Sequence, residues 1–111
     1  MIDWDRVAEL RDEVGSEDFA EVVELFLEEV EDVLRRLRDA PNPASYEEDF
    51  HFLKGSALNL GFAKFGSLCF ANEKAAAAGQ NADVDVSEAL DSYEASKRAF
   101  FARAGALGLA A

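Results

Sequence analysis

Phe50-His51-Phe52-Leu53-Lys54-Gly55-Ser56-Ala57-Leu58-Asn59-Leu60-Gly61 has the spacing of a helix with one buried and one reactive face. At about 100° per residue, Tyr46, Phe50, Leu53, Ala57 and Leu60 fall within one arc of roughly 80°, the stripe a helix buries against its neighbours. His51 is the single histidine of the chain, and it points to the other side. Glu47, Lys54, Gly55 and Leu58 each lie within roughly 60° of its direction.

Helical side chains lean toward the N-terminus, so Lys54 reaches back toward the level of His51 while Glu47 leans away. The sequence therefore brings a cation to the imidazole. Any side chain at position 55 would lean over the same ring, and a glycine in mid-helix costs about 1 kcal/mol relative to alanine. Gly55 is thus read as cleared space. An imidazole nucleophile, a cation and an open approach are what accepting a phosphoryl group from a large partner requires.

Other chemistries for His51 have less support. Zinc would want second and third ligands at helical spacing, and none is present, so no metal is expected. Acyl transfer would want a serine or cysteine nucleophile placed by local spacing to be served by this ring. No glycine-rich phosphate loop occurs, so the chain is not expected to use a nucleotide itself. A small-molecule enzyme ranks last, because a solvent-facing helix offers no evident pocket.

Outward from this stretch, the pattern remains helical. From Asp3 to Val14 the apolar residues Trp4, Val7, Leu10 and Val14 recur at helical spacing, and Gly15 supplies a stop. Ser16 reads as an N-cap, with Glu17 and Asp18 in the first turn of a long helix. Phe19, Val22, Val23, Phe26, Val30, Val33 and Leu37 form its apolar stripe, and Glu21, Glu24, Glu28 and Glu31 read as a solvated opposite face. Arg35, Arg36 and Arg38 complement the dipole at its end, where Pro41-Asn42-Pro43 stops it. Ser45 with Glu48 has capping-box spacing for the helix that carries His51, and Gly61 fits the left-handed residue that ends it.

The next predicted helix runs from Ala63 to Ala78, with Phe65, Leu68, Cys69 and Ala76 for the core and Gly79 at its end. Cys69 reads as a small buried hydrophobe. Glu73 reads from its neighbours as a surface acid or a cap. After a polar loop over 80–83, Asp85 and Glu88 have the spacing of another cap. The last helix then buries Val86, Ala89, Leu90, Tyr93 and Phe100, with Lys97 snorkelling at the edge.

These elements predict an all-α chain: an up-down antiparallel four-helix bundle, with the short N-terminal helix as a lid at one end. The 111 residues suit one domain, 1–111, and about 102–111, with two glycines, are expected to fray. A formal charge of −12, from 23 acidic and 11 basic side chains, argues against nucleic acid and against an anionic membrane surface as partners. One cysteine allows no intrachain disulfide, and no apolar run approaches the roughly 18 to 20 residues of a membrane span. A cytoplasmic, monomeric protein is the expectation.

His-Phe-Leu-Lys-Gly-Ser-Ala from 51 to 57, followed by Leu60-Gly61, resembles the signature of histidine-containing phosphotransfer (Hpt) domains. Phe65, Cys69 and Glu73 resemble the family's leucine, cysteine and glutamate on the next helix, and the resemblance covers roughly residues 2–101. Phe50, Phe52 and Asn72 depart from its usual small residue, threonine and leucine. The resemblance implies that His51 is the phosphoacceptor, assisted by Lys54 and Gly55, with Leu58 as a docking contact. It further implies a phosphocarrier, not an enzyme, relaying phosphoryl groups between receiver-domain aspartates of response regulators downstream of a hybrid sensor kinase. Magnesium would belong to the receiver, and this chain would need no cofactor of its own. The rival expectation is a helical adaptor that binds a receiver or sensor kinase without transferring phosphate.

Overall fold

The computed structural model describes residues 1–104, and five α-helices account for most of these described residues. They are α1 (Trp4–Val14), α2 (Phe19–Asp39), α3 (Tyr46–Leu60), α4 (Ala63–Ala77) and α5 (Val86–Ala104), with 3-10 turns at Pro43–Ser45 and Asn81–Asp83. No strand occurs among the described residues, and no helix there is long and apolar enough to cross a membrane. The fraying expected from residue 102 meets a helix that continues to Ala104; 105–111 lie outside the described residues.

The hairpin of α3 and α4 is closed by Gly61 and Phe62. Gly61 takes φ +87°, and the N–H groups of both residues reach the carbonyl of Ala57, which satisfies helix-end carbonyl capacity in a left-handed cap. A connection this short returns the chain alongside itself. Leu58 accordingly lies against Gly66, and His51 and Lys54 lie against Glu73, so the two helices run antiparallel.

Helix α1 lies over the end of the array that holds this turn. The Asp3 N–H donates to the Gly61 carbonyl at 2.7 Å, Arg6 Nε donates to the Asn59 carbonyl at 3.0 Å, and Trp4 stacks on Phe100 with centroids 5.7 Å apart. A Cβ at position 61 would sit 2.8 Å from the Asp3 carbonyl oxygen. Glycine is therefore required there twice, by its backbone conformation and by the approach of α1.

The core draws on every helix. Phe50, Leu53, Ala57 and Leu60 of α3 meet Phe65 and Cys69 of α4, the apolar face of α2, and Ala89, Tyr93 and Phe100 of α5. On α2 the buried set is Phe19, Val23, Leu27, Val30, Leu34 and Leu37. Leu27 and Leu34 replace the predicted Val22, Phe26 and Val33, which are only half-buried, because the helix is rotated toward α5. Glu31 turns inward with it. Instead of lying on a solvated face, it accepts hydrogen bonds from Tyr93 Oη at 2.6 Å and Lys97 Nζ at 2.7 Å. Burial alone would raise its pKa, but those two donors outweigh it and hold the carboxyl below its ordinary value.

One predicted cap is displaced, and another keeps its position without its capping bond. Residues 16–18 form a turn in which the Asp18 N–H bonds the Gly15 carbonyl, so α2 begins at Phe19 and Ser16 does not cap it. Before α3, Asn42 caps the 3-10 turn that Pro43 opens, leaving Ser45 already helical and without a capping bond. The Ser45 hydroxyl instead donates to Asp49 Oδ2 at 2.9 Å. Asn72, buried on α4, accepts from the Asp85 N–H and donates to the Asp85 carbonyl, which ties the start of α5 to α4.

Asp49 joins α2 to α3. Arg36 grips its carboxylate with two bonds of 2.9 and 2.6 Å, the bidentate geometry in which such pairs are strongest. Burial would raise the Asp49 pKa, but Arg36 and Ser45 together overcome it and bring the group below the ordinary value of 3.8. A carboxyl with a depressed folded pKa contributes stability that is fully present above the unfolded value and is lost as the pH falls through the folded one. Asp49→Asn is therefore expected to cost about 1–3 kcal/mol at neutral pH. In chemical denaturation series the gap between variant and wild type should close as the pH is taken below 3.8.

Candidate functional site

His51 projects from α3 with its side chain 68% exposed. Its chain neighbour Phe50 and the nearby Leu53 are fully buried, so the anchored apolar stripe fixes the outward direction of the ring. Glu73 of α4 meets it. Nδ1 lies 2.6 Å from Glu73 Oε2, and the other carboxylate oxygen, Oε1, lies 2.8 Å from Lys54 Nζ.

Lys54 above all, and then His51, draw the Glu73 pKa below its ordinary value against the opposing effect of burial. The group is a carboxylate at neutral pH and can only accept hydrogen bonds. In the neutral imidazole the Nδ1–H must therefore be the donor, which leaves the lone pair on Nε2. Glu73 thus selects which ring nitrogen of the neutral imidazole carries the free lone pair. Sequence spacing brings Lys54 directly toward the imidazole; in the structure a carboxylate from the neighbouring helix stands between them and pairs with both.

Gly55 sits one turn from His51, and a Cβ built there would meet nothing within 4 Å. Close helix packing therefore does not account for this glycine. Leu58 is 53% exposed, with its Cδ2 against Gly66 of α4. Cys69 is fully buried, and burial pushes its thiol up to about 12, so it packs as an inert side chain. A surface depression of about 830 Å³ between α2 and α5 is lined by Val23, Leu27, Glu31, Lys97 and Phe101, not by His51. Among the described residues no three His, Cys, Asp or Glu side chains gather in a way that could hold a metal ion.

Glu73 and Phe70 enter the site from outside the signature stretch. Phe70 is 47% exposed, with Lys54 Nζ and Lys74 Nζ at 5.1 and 5.2 Å from its ring centroid. A sequence signal existed: Phe70, Glu73 and Lys74 share one face of the helix predicted over 63–78. Nothing local, however, says that this face meets His51.

The open space at position 55 makes a sharp stability prediction. Gly55→Ala should gain helix propensity of about 1 kcal/mol without a clash and raise the melting temperature by about 4 °C. A lowered melting temperature in differential scanning calorimetry would show that packing, not clearance, holds the glycine.

A comparison with protein families agrees with this geometry. The Hpt domain model matches residues 21–99, from the first turn of α2 into the last turns of α5. No curated protein and no solved structure matches the chain. With the match spanning the helices that build and present the His51 site, the chain belongs to the Hpt domain family.

Proposed function

We propose that this protein is a histidine phosphocarrier that moves phosphoryl groups between receiver-domain aspartates of a multistep phosphorelay, with His51 as the acceptor. Membership of the Hpt family connects the chain with phosphotransfer in two-component signalling. The observation that carries the finer reading is the Glu73 bridge: it holds Nδ1 protonated and leaves the lone pair of Nε2 on an exposed ring. The reading treats α2 to α5 as the up-down four-helix bundle and α1 as its lid, a scaffold that keeps this bridge in register.

In the transfer step the Nε2 lone pair attacks phosphorus of the aspartyl phosphate. The P–N bond forms, the P–O bond to the aspartate breaks, and the carboxylate departs with its electron pair. No proton has to move. The phosphorylated ring keeps its Nδ1–H and becomes an imidazolium, whose positive charge faces the Glu73 carboxylate. Attack by the aspartate of a second receiver runs the same step in reverse. Lys54 has three N–H donors; one serves Glu73, and the others are available to the incoming phosphoryl oxygens. Gly55 keeps the approach open, and Leu58 is a docking contact beside it. Magnesium is held by the receiver, and a hybrid sensor kinase supplies the first phosphoryl group, in the cytoplasm and to a monomer.

Incubation with a phosphorylated receiver should label His51 with an acid-labile, alkali-stable phosphate, and His51→Gln should remove the label while preserving the fold. Absence of label across the receivers of the host sinks the proposal. A His51→Gln protein that still functions in the cell would establish a helical adaptor instead. Each charged contact to a partly exposed group is worth roughly 1 to 3 kcal/mol. Lys54→Ala and Glu73→Ala are thus each expected to slow transfer by about ten- to a hundredfold in rapid-quench assays, and wild-type rates would remove the residue concerned from the mechanism.

A further inference from the structure

The groove between α2 and α5 has no part in the His51 site, since no residue of α3 or α4 lines it. Its base is apolar, formed by Val23 and Leu27 of α2 with Phe101 of α5, and it encloses about 830 Å³. The residues of α2 that line it run from Ala20 to Arg35. At 1.5 Å per residue that is a trough about 22 Å long, or roughly four turns of helix, a length that suits a row of side chains. Its charges do not balance. Two ion pairs inside it are complete: Lys97 Nζ meets Glu31 at 2.7 Å, and Arg35 meets Asp32 at 2.9 Å. Glu24 and Glu28 also line the groove, both exposed, and among the described residues neither has a cation within ion-pair distance. Standing one turn apart on the same helix face, these two carboxylates repel each other.

We propose that the α2–α5 groove is a docking site for a basic amphipathic helix. Apolar side chains along one face of that helix enter over Val23, Leu27 and Phe101, and lysines or arginines on its flank pair with Glu24 and Glu28, the two halves of helix-in-groove recognition. Charge complementarity selects this occupant. A second copy of the chain, at net charge −12, would bring further carboxylates against the unpaired ones. A neutral apolar segment would cover the two acids without pairing them. Docking here leaves the His51 ring, 68% exposed on α3, unobstructed. The groove thus lets the protein hold a second partner while the imidazole stays accessible, and the inference does not depend on the phosphocarrier reading.

The probe is a leucine–lysine peptide patterned as an amphipathic helix about 18 residues long, with a leucine–glutamate peptide of the same pattern as its charge-reversed control. Each is titrated into the full chain by calorimetry and followed by amide NMR shifts. The lysine peptide should bind one to one and shift amides of α2 and α5 around Val23, Leu27 and Phe101, and the glutamate peptide should not bind. Glu24→Gln with Glu28→Gln should weaken binding about five- to tenfold. Glu21→Gln with Glu29→Gln removes the same charge from exposed positions of α2 outside the groove and should change it by less than about twofold. Thermal melts confirm that each variant is folded. Equal weakening by the two pairs makes the attraction a property of net charge and overturns the proposal, as does a lysine peptide that fails to bind. Carbethoxylation of His51, the single histidine, should run at an unchanged rate with the groove filled; protection of His51 overturns the proposal by placing the peptide on the other site. A free chain that sediments as a dimer through α2 and α5 would name a second copy as the occupant. NMR contacts in the free chain from residues 105–111 to Val23 or Leu27 would name the chain's own end, and either result overturns the inference.

Discussion

One left-handed glycine sets the geometry on which the site depends. Gly61 ends α3 at φ +87° and, with Phe62, reverses the chain in two residues. A turn this short fixes the register of α4 against α3, since neither helix can slide without unmaking the cap at Ala57. Glu73 is 22 residues from His51 in sequence, yet register alone delivers its carboxylate to the imidazole. The same glycine receives α1, whose Asp3 N–H bonds its carbonyl. Its missing side chain thus serves both the turn and the closure of that end.

Two carboxylates at helix interfaces do different work. Asp49 is 7% exposed and fully engaged by Arg36 and Ser45; it joins α2 to α3 and offers nothing to solvent. Glu73 stands at the opposite edge of α3, half-buried, with each oxygen committed to a group that is itself reachable from outside. Partial burial strengthens its bonds to His51 and Lys54 relative to a fully solvated acid. Exposure of the ring keeps Nε2 available. The proposed phosphocarrier role would use both conditions, because an acceptor must be poised without being enclosed by its own protein.

The surface around His51 differs from the rest of the molecule in kind. Helix α2 alone carries acids at 21, 24, 28, 29, 31, 32 and 39, whereas α4 carries Glu73 against Lys64 and Lys74. The acids are thus concentrated on α2, and the face around His51 carries a more even balance, with Lys54 and Lys74 beside Glu47 and Glu73. Helix α5, with Tyr93 and Lys97 on Glu31, closes the far side and leaves α3 and α4 free to present the site.

The sequence by itself determined that the chain is helical, where most helices begin and end, that Cys69 is buried, and that His51, Lys54, Gly55 and Leu58 share an outer face. Those properties are local, because the 3.6-residue period, proline, glycine and the directions of side chains act within a few turns. The resemblance of its signature to Hpt domains located the family. Tertiary structure alone decided the rest. The rotation of α2 that buries Leu27 and Leu34 and turns Glu31 inward depends on how α5 packs, and the displacement of the cap at Ser16 and the missing capping bond at Ser45 depend on turns that compete for the same backbone groups. The joining of Lys54 to His51 through Glu73, and the approach of Lys54 to Phe70, required the register of α3 against α4. Contacts between residues about twenty positions apart are set by helix packing, and no periodicity within either helix encodes them.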